Sequence, residues 1–276
     1  MPDIASVARH YTQGNLLDAI RAGVEHLGKS PDTVTVEDLA PVDEFHIGGR
    51  VATESLFENV GVTPDDHLLD VGCGLGGASR YVAKRYGCRV TGVDLTREYV
   101  ETGSELCSWV GLADQIALEQ GNAMELTCSD CVFDKAYMLH VGMNIADKQR
   151  LTAELYRVLK PGGILAIYDV MRVGDGDLMF PVPWASTESE SAVSPPEEYR
   201  DALRAAGFEV TVERNRHDFA MDFFARLQAA SSAEGPPPLG LHLLMGEARA
   251  LKVKNMIANI SRNLVAPVEI VSVKPW

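Results

Sequence analysis

The sequence contains no uninterrupted run of about 18 apolar residues, so no stretch of it is expected to cross a membrane as a helix. Its amino end, Met1-Pro2-Asp3, does not lead through basic residues into an apolar segment. A secretory signal is therefore not expected, and a cytoplasmic location follows. Positive charge is scarce: 25 Lys and Arg face 39 Asp and Glu, a formal charge of −14, and no basic cluster offsets it locally. Affinity for nucleic acid rests on Lys and Arg displacing counterions, so DNA and RNA are poor partners for this chain. The excess of carboxylates acts as a solubility charge or steers cationic ligands. Cysteine is sparse and odd in number: Cys73, Cys88, Cys107, Cys128 and Cys131. Reduced thiols are expected. Cys128 and Cys131 form a lone C-x-x-C without the second ligand pair a zinc site needs, so no metal is expected. Internal repeats are absent too.

What remains is an ordinary globular composition, 46% hydrophobic and 23% charged over 276 residues, enough for one large core. Residues 1–60 read as mainly helical. Leu16, Leu17, Ile20, Val24 and Leu27 share one helix face. A looser segment, 29–48, carries the breakers Pro31, Pro41 and Gly48-Gly49, and Val51, Leu56 and Val60 suggest a short helix after it. From residue 67 short apolar runs alternate with helical patterns. Strands are expected at 67–71, 89–93, 116–120, 133–139 and 163–170, with helices over 78–86, 96–110 and 147–159. This alternation predicts a mostly parallel sheet covered on both faces. Residues 174–196 read as a long loop. A helix over 197–206 ends at Gly207, a strand runs over 208–212, helical segments lie near 217–230 and 241–263, and 268–273 forms a last strand.

The most informative stretch is Leu68-Leu69-Asp70-Val71-Gly72-Cys73-Gly74-Leu75-Gly76-Gly77, a strand that enters a glycine loop and then a helix. Without Cβ atoms the backbone turns tightly and lets a ligand approach, and the helix that follows offers free N–H groups. Gly72, Gly74 and Gly77 also satisfy G-x-G-x-x-G, so the loop alone admits a nicotinamide or flavin cofactor. Asp94 ends the second strand 20 positions beyond Gly74, where a carboxylate accepts hydrogen bonds from ribose hydroxyls. Both cofactor classes need that contact. Asp70 separates them: a carboxylate just before the glycines disfavours a pyrophosphate and suits a cofactor with a cationic amine.

As a set, Asp70-x-Gly72-x-Gly74-x-Gly76, Asp94, Gly121-Asn122-Ala123 and Leu159-Lys160-Pro161-Gly162-Gly163 resemble class I methyltransferases that use S-adenosyl-L-methionine. The likeness covers roughly residues 45–215. Asp43-Glu44-Phe45-His46-Ile47-Gly48-Gly49-Arg50 resembles the small-molecule branch that includes sarcosine/dimethylglycine N-methyltransferases and natural-product enzymes.

The resemblance implies a Rossmann-like α/β fold: a seven-stranded, mostly parallel sheet with helices on both faces. It further implies an N-terminal helical segment (1–60) closing over the site of a methyltransferase domain (61–276), with cover helices near 217–263. Asp70 and the glycines 72, 74 and 76 would hold the methionine part of the cofactor, Asp94 the ribose and Leu95 the adenine. Asn122, where relatives often carry Asp, would accept from the adenine amino group through its amide oxygen, and Ala123 would meet a ring nitrogen. Leu139 and His140 would stand between cofactor and acceptor. Methyl transfer needs alignment and exclusion of water first, and a base only for protonated or hydroxyl acceptors. His140 and His46 are the candidate bases, and Tyr11 a candidate to close the pocket. Met143, Met171, Phe180 and Trp184, with the helix carrying His217, Phe219, Met221, Phe223 and Phe224, are expected around the acceptor. An amine or amino-acid-like nitrogen is the favoured acceptor and an oxygen or carbon of a natural product the alternative. An NAD(P)-linked oxidoreductase and a non-catalytic binding protein are the competing classes. The expected partner is a small-molecule acceptor, with no membrane or nucleic acid, on a monomer or homodimer.

Overall fold

A computed structural model describes residues 3–234, 237–246 and 248–276. Seven strands form one sheet: β1 (His67–Val71), β2 (Arg89–Asp94), β3 (Ile116–Gln120), β4 (Phe133–Leu139), β5 (Leu159–Arg172), β6 (Glu209–Asn215) and β7 (Val265–Val273). Their spatial order is β3-β2-β1-β4-β5-β7-β6. The first five are parallel, and β7 runs antiparallel to both neighbours. The chain steps outward from β1 through β2 to β3, then returns to pair β4 with the other side of β1. That reversal leaves a crevice beyond the carboxyl ends of β1 and β4, where open α/β sheets bind ligands.

Side chains explain the layering. Leu68, Leu69 and Val71 of β1 are fully buried because helices cover both faces of the sheet. On one face α7 (Lys148–Val158) and α8 (Pro196–Ala206) place Leu151, Leu155 and Leu203 against Ala136, Met138 and Ile167. On the other, α4 (Gly49–Phe57) and α5 (Gly77–Tyr86) set Leu56, Phe57, Val82 and Ala83 against Leu68, Tyr137 and Ala166. Each fully buried Leu or Phe contributes about 1.5–3 kcal/mol.

The amino-terminal helices are α1 (Ile4–Tyr11), α2 (Leu16–His26) and α3 (Val36–Asp43). Leu16, Ile20 and Leu39 pack against Leu75, Tyr99 and Leu106, the last two on α6 (Arg97–Trp109). The segment expected to be loose therefore holds a helix. A capping box of Thr35 and Asp38 starts α3 and outweighs Pro41 inside it. The helical segment expected over 241–263 divides into α10 (His242–Met245) and α11 (Arg249–Ser261), and Gly246 at φ 65° and ψ −164° ends the first. With α9 (His217–Glu234), α11 covers a satellite core holding Met143, Trp184 and Phe224. No helix among the described residues is long and apolar enough to cross a membrane.

Candidate active site

The carboxyl ends of β1, β2 and β4, the amino-terminal helices and the cover helices enclose one cavity of about 1670 Å³. Tyr11, His46, Asp70, Gly72, Gly74, Asp94, Leu95, Asn122, Ala123, Leu139 and His140 all line it, so the fold brings these dispersed positions together. Gly76 is not on the wall. It caps α5 at φ 74°, and a Cβ there would lie 3.0 Å from Leu118 Cδ1.

The glycine loop is shaped by close approach. Gly72 holds φ 69°, and a Cβ would sit 2.5 Å from Val141 Cγ2. At Gly77 a Cβ would meet the Asp43 carbonyl at 2.4 Å. The third glycine thus lets α3 dock on the start of α5, where the Arg80 guanidinium pairs with Asp43 and both side chains are inaccessible. By contrast, the nearest atom to a Cβ at Gly74 is Tyr99 Cδ2 at 3.9 Å, so the loop's middle stays open for a ligand.

Two carboxylates frame that opening. Asp94 Oδ2 accepts from Gly74 N–H at 2.9 Å and Oδ1 from Thr96 N–H at 2.8 Å. Asp70 is 3% exposed and accepts from Ser79 Oγ at 2.6 Å. Burial pushes its carboxyl up to about 7, with Asp94 and Glu44 adding like charge. Asp43 and Glu44 have Arg80 and Arg50 as partners, whereas Asp70 and Asp94 form no ion pair among the described residues. The cleft thus presents two carboxylates without a cation. The residues fit the expected cofactor: the loop leaves room for its backbone-facing part, Asp94 would accept from the ribose hydroxyls, and Asp70 would face the ammonium end. Asn122 departs from expectation in one respect. Its Oδ1 accepts from Met124 N–H at 3.0 Å, so contact with an adenine amino group uses the oxygen's second lone pair.

His140 follows β4 at φ 56°, a left-handed conformation that costs a non-glycine residue about 1–2 kcal/mol. Both its ring nitrogens are engaged. Nδ1–H donates to the Tyr168 carbonyl at 3.1 Å, and Nε2 accepts from Ile47 N–H at 3.2 Å. Tyr168 OH donates to the Ile47 carbonyl at 3.0 Å, so Ile47 is clamped at both polar groups. Burial, with a smaller contribution from nearby His46, drives the His140 imidazole down to about 3 and keeps it neutral. His46 is tied through one nitrogen: Nε2–H donates to the Gly49 carbonyl at 3.0 Å, and Thr53 Oγ1 lies at 3.0 Å from the same atom. Burial lowers its basicity as well. The geometry assigns both histidines to holding residues 46–49 against the strand tips. Neither nitrogen of His140 is free to take an acceptor's proton, whereas Nδ1 of the His46 ring has no hydrogen-bond partner among the described residues, and His46 lines the cavity.

Asn144, which the sequence alone did not single out, spans the cavity mouth. Its Nδ2 donates to Tyr11 OH at 3.3 Å and to the Val141 carbonyl at 3.3 Å, joining α1 to the turn after β4. Burial raises Tyr11 far above the usual phenol range, so its hydroxyl stays protonated. Beyond this bridge the wall is mainly apolar, with Gln228, His242, Arg249 and Lys254 as its polar members on the cover segments. Met143, Trp184, Phe223, Phe224, Val253 and Met256 line it, and Trp184 Nε1–H is satisfied by Ser191 Oγ at 2.9 Å. Met171, Phe180, His217, Phe219 and Met221 lie outside the lining. No cluster of three metal-ligating side chains occurs among the described residues.

Residues 69–167 match the family model of the methyltransferase domain. The chain is 30% identical over 219 residues to O-methyltransferase resE of Aspergillus sclerotiorum, covering 76% of this chain and 78% of that protein. It is 32% identical over 183 residues to sterol 24-C-methyltransferase of Eremothecium gossypii, covering 59% of this chain and 45%, less than half, of that longer protein. The fold is shared with geranyl diphosphate C-methyltransferase of Streptomyces coelicolor A3(2) at a TM-score of 0.72, over 99% of this chain and 98% of that one, with 20% identity. These likenesses decide between the cofactor classes that the glycine loop left open: the chain belongs to the S-adenosylmethionine-dependent methyltransferases.

Proposed function

We propose that the protein transfers a methyl group from S-adenosylmethionine to a bulky, largely apolar small molecule, at an oxygen or carbon centre. The size and lining of the cavity carry this reading. About 1670 Å³ exceeds the roughly 300–1,000 Å³ of a site for one small ligand. With the cofactor against Asp70, the glycine loop, Asp94 and Asn122, the space under α1, α9 and α11 belongs to the acceptor. The relatives' names point the same way, since they include an O-methyltransferase and a sterol C-methyltransferase.

The amine or amino-acid-like acceptor favoured on sequence grounds is the second reading, supported by the acidic balance of the chain. An amino-acid-like molecule needs charged partners; Met143, Trp184, Phe224 and Met256 supply none, and Arg249 and Lys254 on the same wall are the candidates for its carboxylate.

The cofactor supplies an activated methyl group on a sulfonium. The chain's own residues bind, orient and exclude water. Asp94 anchors the ribose and Asp70 the ammonium end of the cofactor, and the His140–Ile47–Tyr168 clamp fixes the segment closing over it. Asn144 and Tyr11 offer the acceptor a polar contact at the boundary between the two halves. His140 has both ring nitrogens engaged, so the acceptor either arrives already nucleophilic or gives its proton to His46 Nδ1, the unengaged nitrogen of the pair. Methyl-labelled cofactor and a panel of acceptors test the reading. Label is expected on hydroxylated or unsaturated terpenoid and polyketide molecules and not on glycine, sarcosine or dimethylglycine. Transfer confined to the amino acids would reverse the order of the two readings.

A further inference from the structure

Within the cavity wall, one polar side chain is left without any partner although it is deeply buried. Tyr99 is 4% exposed, lines the cavity, and its hydroxyl makes no hydrogen bond. An unsatisfied buried hydroxyl costs free energy in the ligand-free protein and calls for an explanation. Three neighbours say which ligand would satisfy it. Its ring flanks the open middle of the glycine loop, with Cδ2 3.9 Å from the Cβ position of Gly74. It stands in the first turn of α6, five residues after Asp94, the carboxylate at the tip of β2. Its ring centroid lies 5.9 Å from that of Tyr11 on α1. Burial holds the phenol far above its ordinary range, so the hydroxyl has a proton to donate.

Resting on the cofactor assignment above, we propose that Tyr99 is a further cofactor-binding residue whose hydroxyl donates to a ribose oxygen beside Asp94, and that it relays occupancy to the amino-terminal helices. The relay has a visible path. Glu98, next to Tyr99, accepts the backbone N–H groups of Gln13 and Leu16, at 2.5 and 3.1 Å. It thereby closes the α1–α2 turn, where the N-cap Asn15 supplies no side-chain cap. One turn of α6 therefore touches the glycine loop through Tyr99 and holds the start of α2 through Glu98. Fixing Tyr99 on a ligand steadies Glu98 and, through Tyr11, the helix that closes the cavity.

The test uses the whole protein, with S-adenosylhomocysteine as probe, and compares wild type, Tyr99→Phe and Asp94→Ala by calorimetry and thermal unfolding. Tyr99→Phe keeps the ring and removes only the orphan hydroxyl. It is expected to bind the probe about five- to tenfold more weakly, while its ligand-free Tm rises by about 2 °C or more. That pairing of signs separates a ligand contact from a packing role, which moves Tm without moving affinity. In wild type, the Gln13 and Leu16 amides should exchange more slowly when the probe is bound, and Tyr99→Phe should blunt that protection. Unchanged affinity in Tyr99→Phe, with Asp94→Ala impaired, overturns the Tyr99 assignment and leaves the cofactor site standing. Weakened binding without any change in amide exchange overturns the relay alone. No binding by wild type overturns both the assignment and the reading beneath it.

Discussion

The two halves of the cavity are built on opposite principles. The cofactor half is polar and made by the tips of adjacent parallel strands, with Asp70, Gly72 and Gly74 contiguous in sequence and Asp94 one strand away. The acceptor half is mainly apolar and assembled from α1, the turn after β4, Trp184, α9 and α11, segments spread over the length of the chain. A common chemistry requires fixed donors and acceptors on one side. On the other, apolar contact tolerates changes of shape, so a family can keep its cofactor and change its acceptor.

Substitutions in the two halves should have separable effects. The largest is expected from Asp94→Ala, which would remove the proposed charge-assisted hydrogen bonds to the ribose and releases the Gly74 and Thr96 amides. Cofactor affinity should weaken by about 2–4 kcal/mol, measured as a dissociation constant for S-adenosylhomocysteine. An unaltered constant would detach Asp94 from the cofactor half. On the acceptor side, Trp184→Ala should raise the acceptor KM by about tenfold or more through lost apolar contact, with cofactor affinity held within about twofold. A parallel loss of cofactor binding would show that the halves are not separate.

Asp70→Asn should act on stability and binding with opposite signs. Its folded-state carboxyl lies near 7, above the ordinary carboxylate value, so the stability it contributes is complete below about pH 4 and is lost as pH rises through 7. The Asn variant should therefore unfold at a higher temperature than wild type at pH 8 and bind the cofactor more weakly. The smallest effect concerns His140. Its folded-state value near 3 lies below the ordinary histidine value, so its contribution to stability is full above about pH 6.5 and falls as the solution is acidified. His140→Gln should flatten the acid limb of a stability profile. It should leave the pH dependence of kcat between 6 and 9 unmoved, because no ionisation of His140 falls in that range. A shifted kinetic profile would return His140 to the role of base.

Legibility in the sequence follows the same division. The strands, the glycine loop and Asp94 could be read because alternating apolar runs and glycine spacing are local signals. The helix α3 was hidden by Pro31 and Pro41, and only the Thr35–Asp38 capping box reveals why it forms. The break between α10 and α11 rests on the backbone of Gly246, a residue type that helices elsewhere tolerate. His140 lines the cavity. What it does there depends on Ile47, 93 residues away, and on Tyr168, 28 away, which no spacing rule connects. Asn144, Tyr99 and Arg80 belong to no motif, and the segment that begins at Asp43 does not reveal that its carboxylate pairs with Arg80. They are visible only once α1, α3 and α6 meet over the loop.

The most direct measurement of the central claim is a crystal structure with S-adenosylhomocysteine bound. The ribose hydroxyls are expected within hydrogen-bonding distance of Asp94, with the homocysteine end beside Gly72 and the apolar space under α1, α9 and α11 left open. Density for the nucleoside in the apolar half, with Asp94 and Asp70 uncontacted, would contradict the division of the cavity into a cofactor side and an acceptor side.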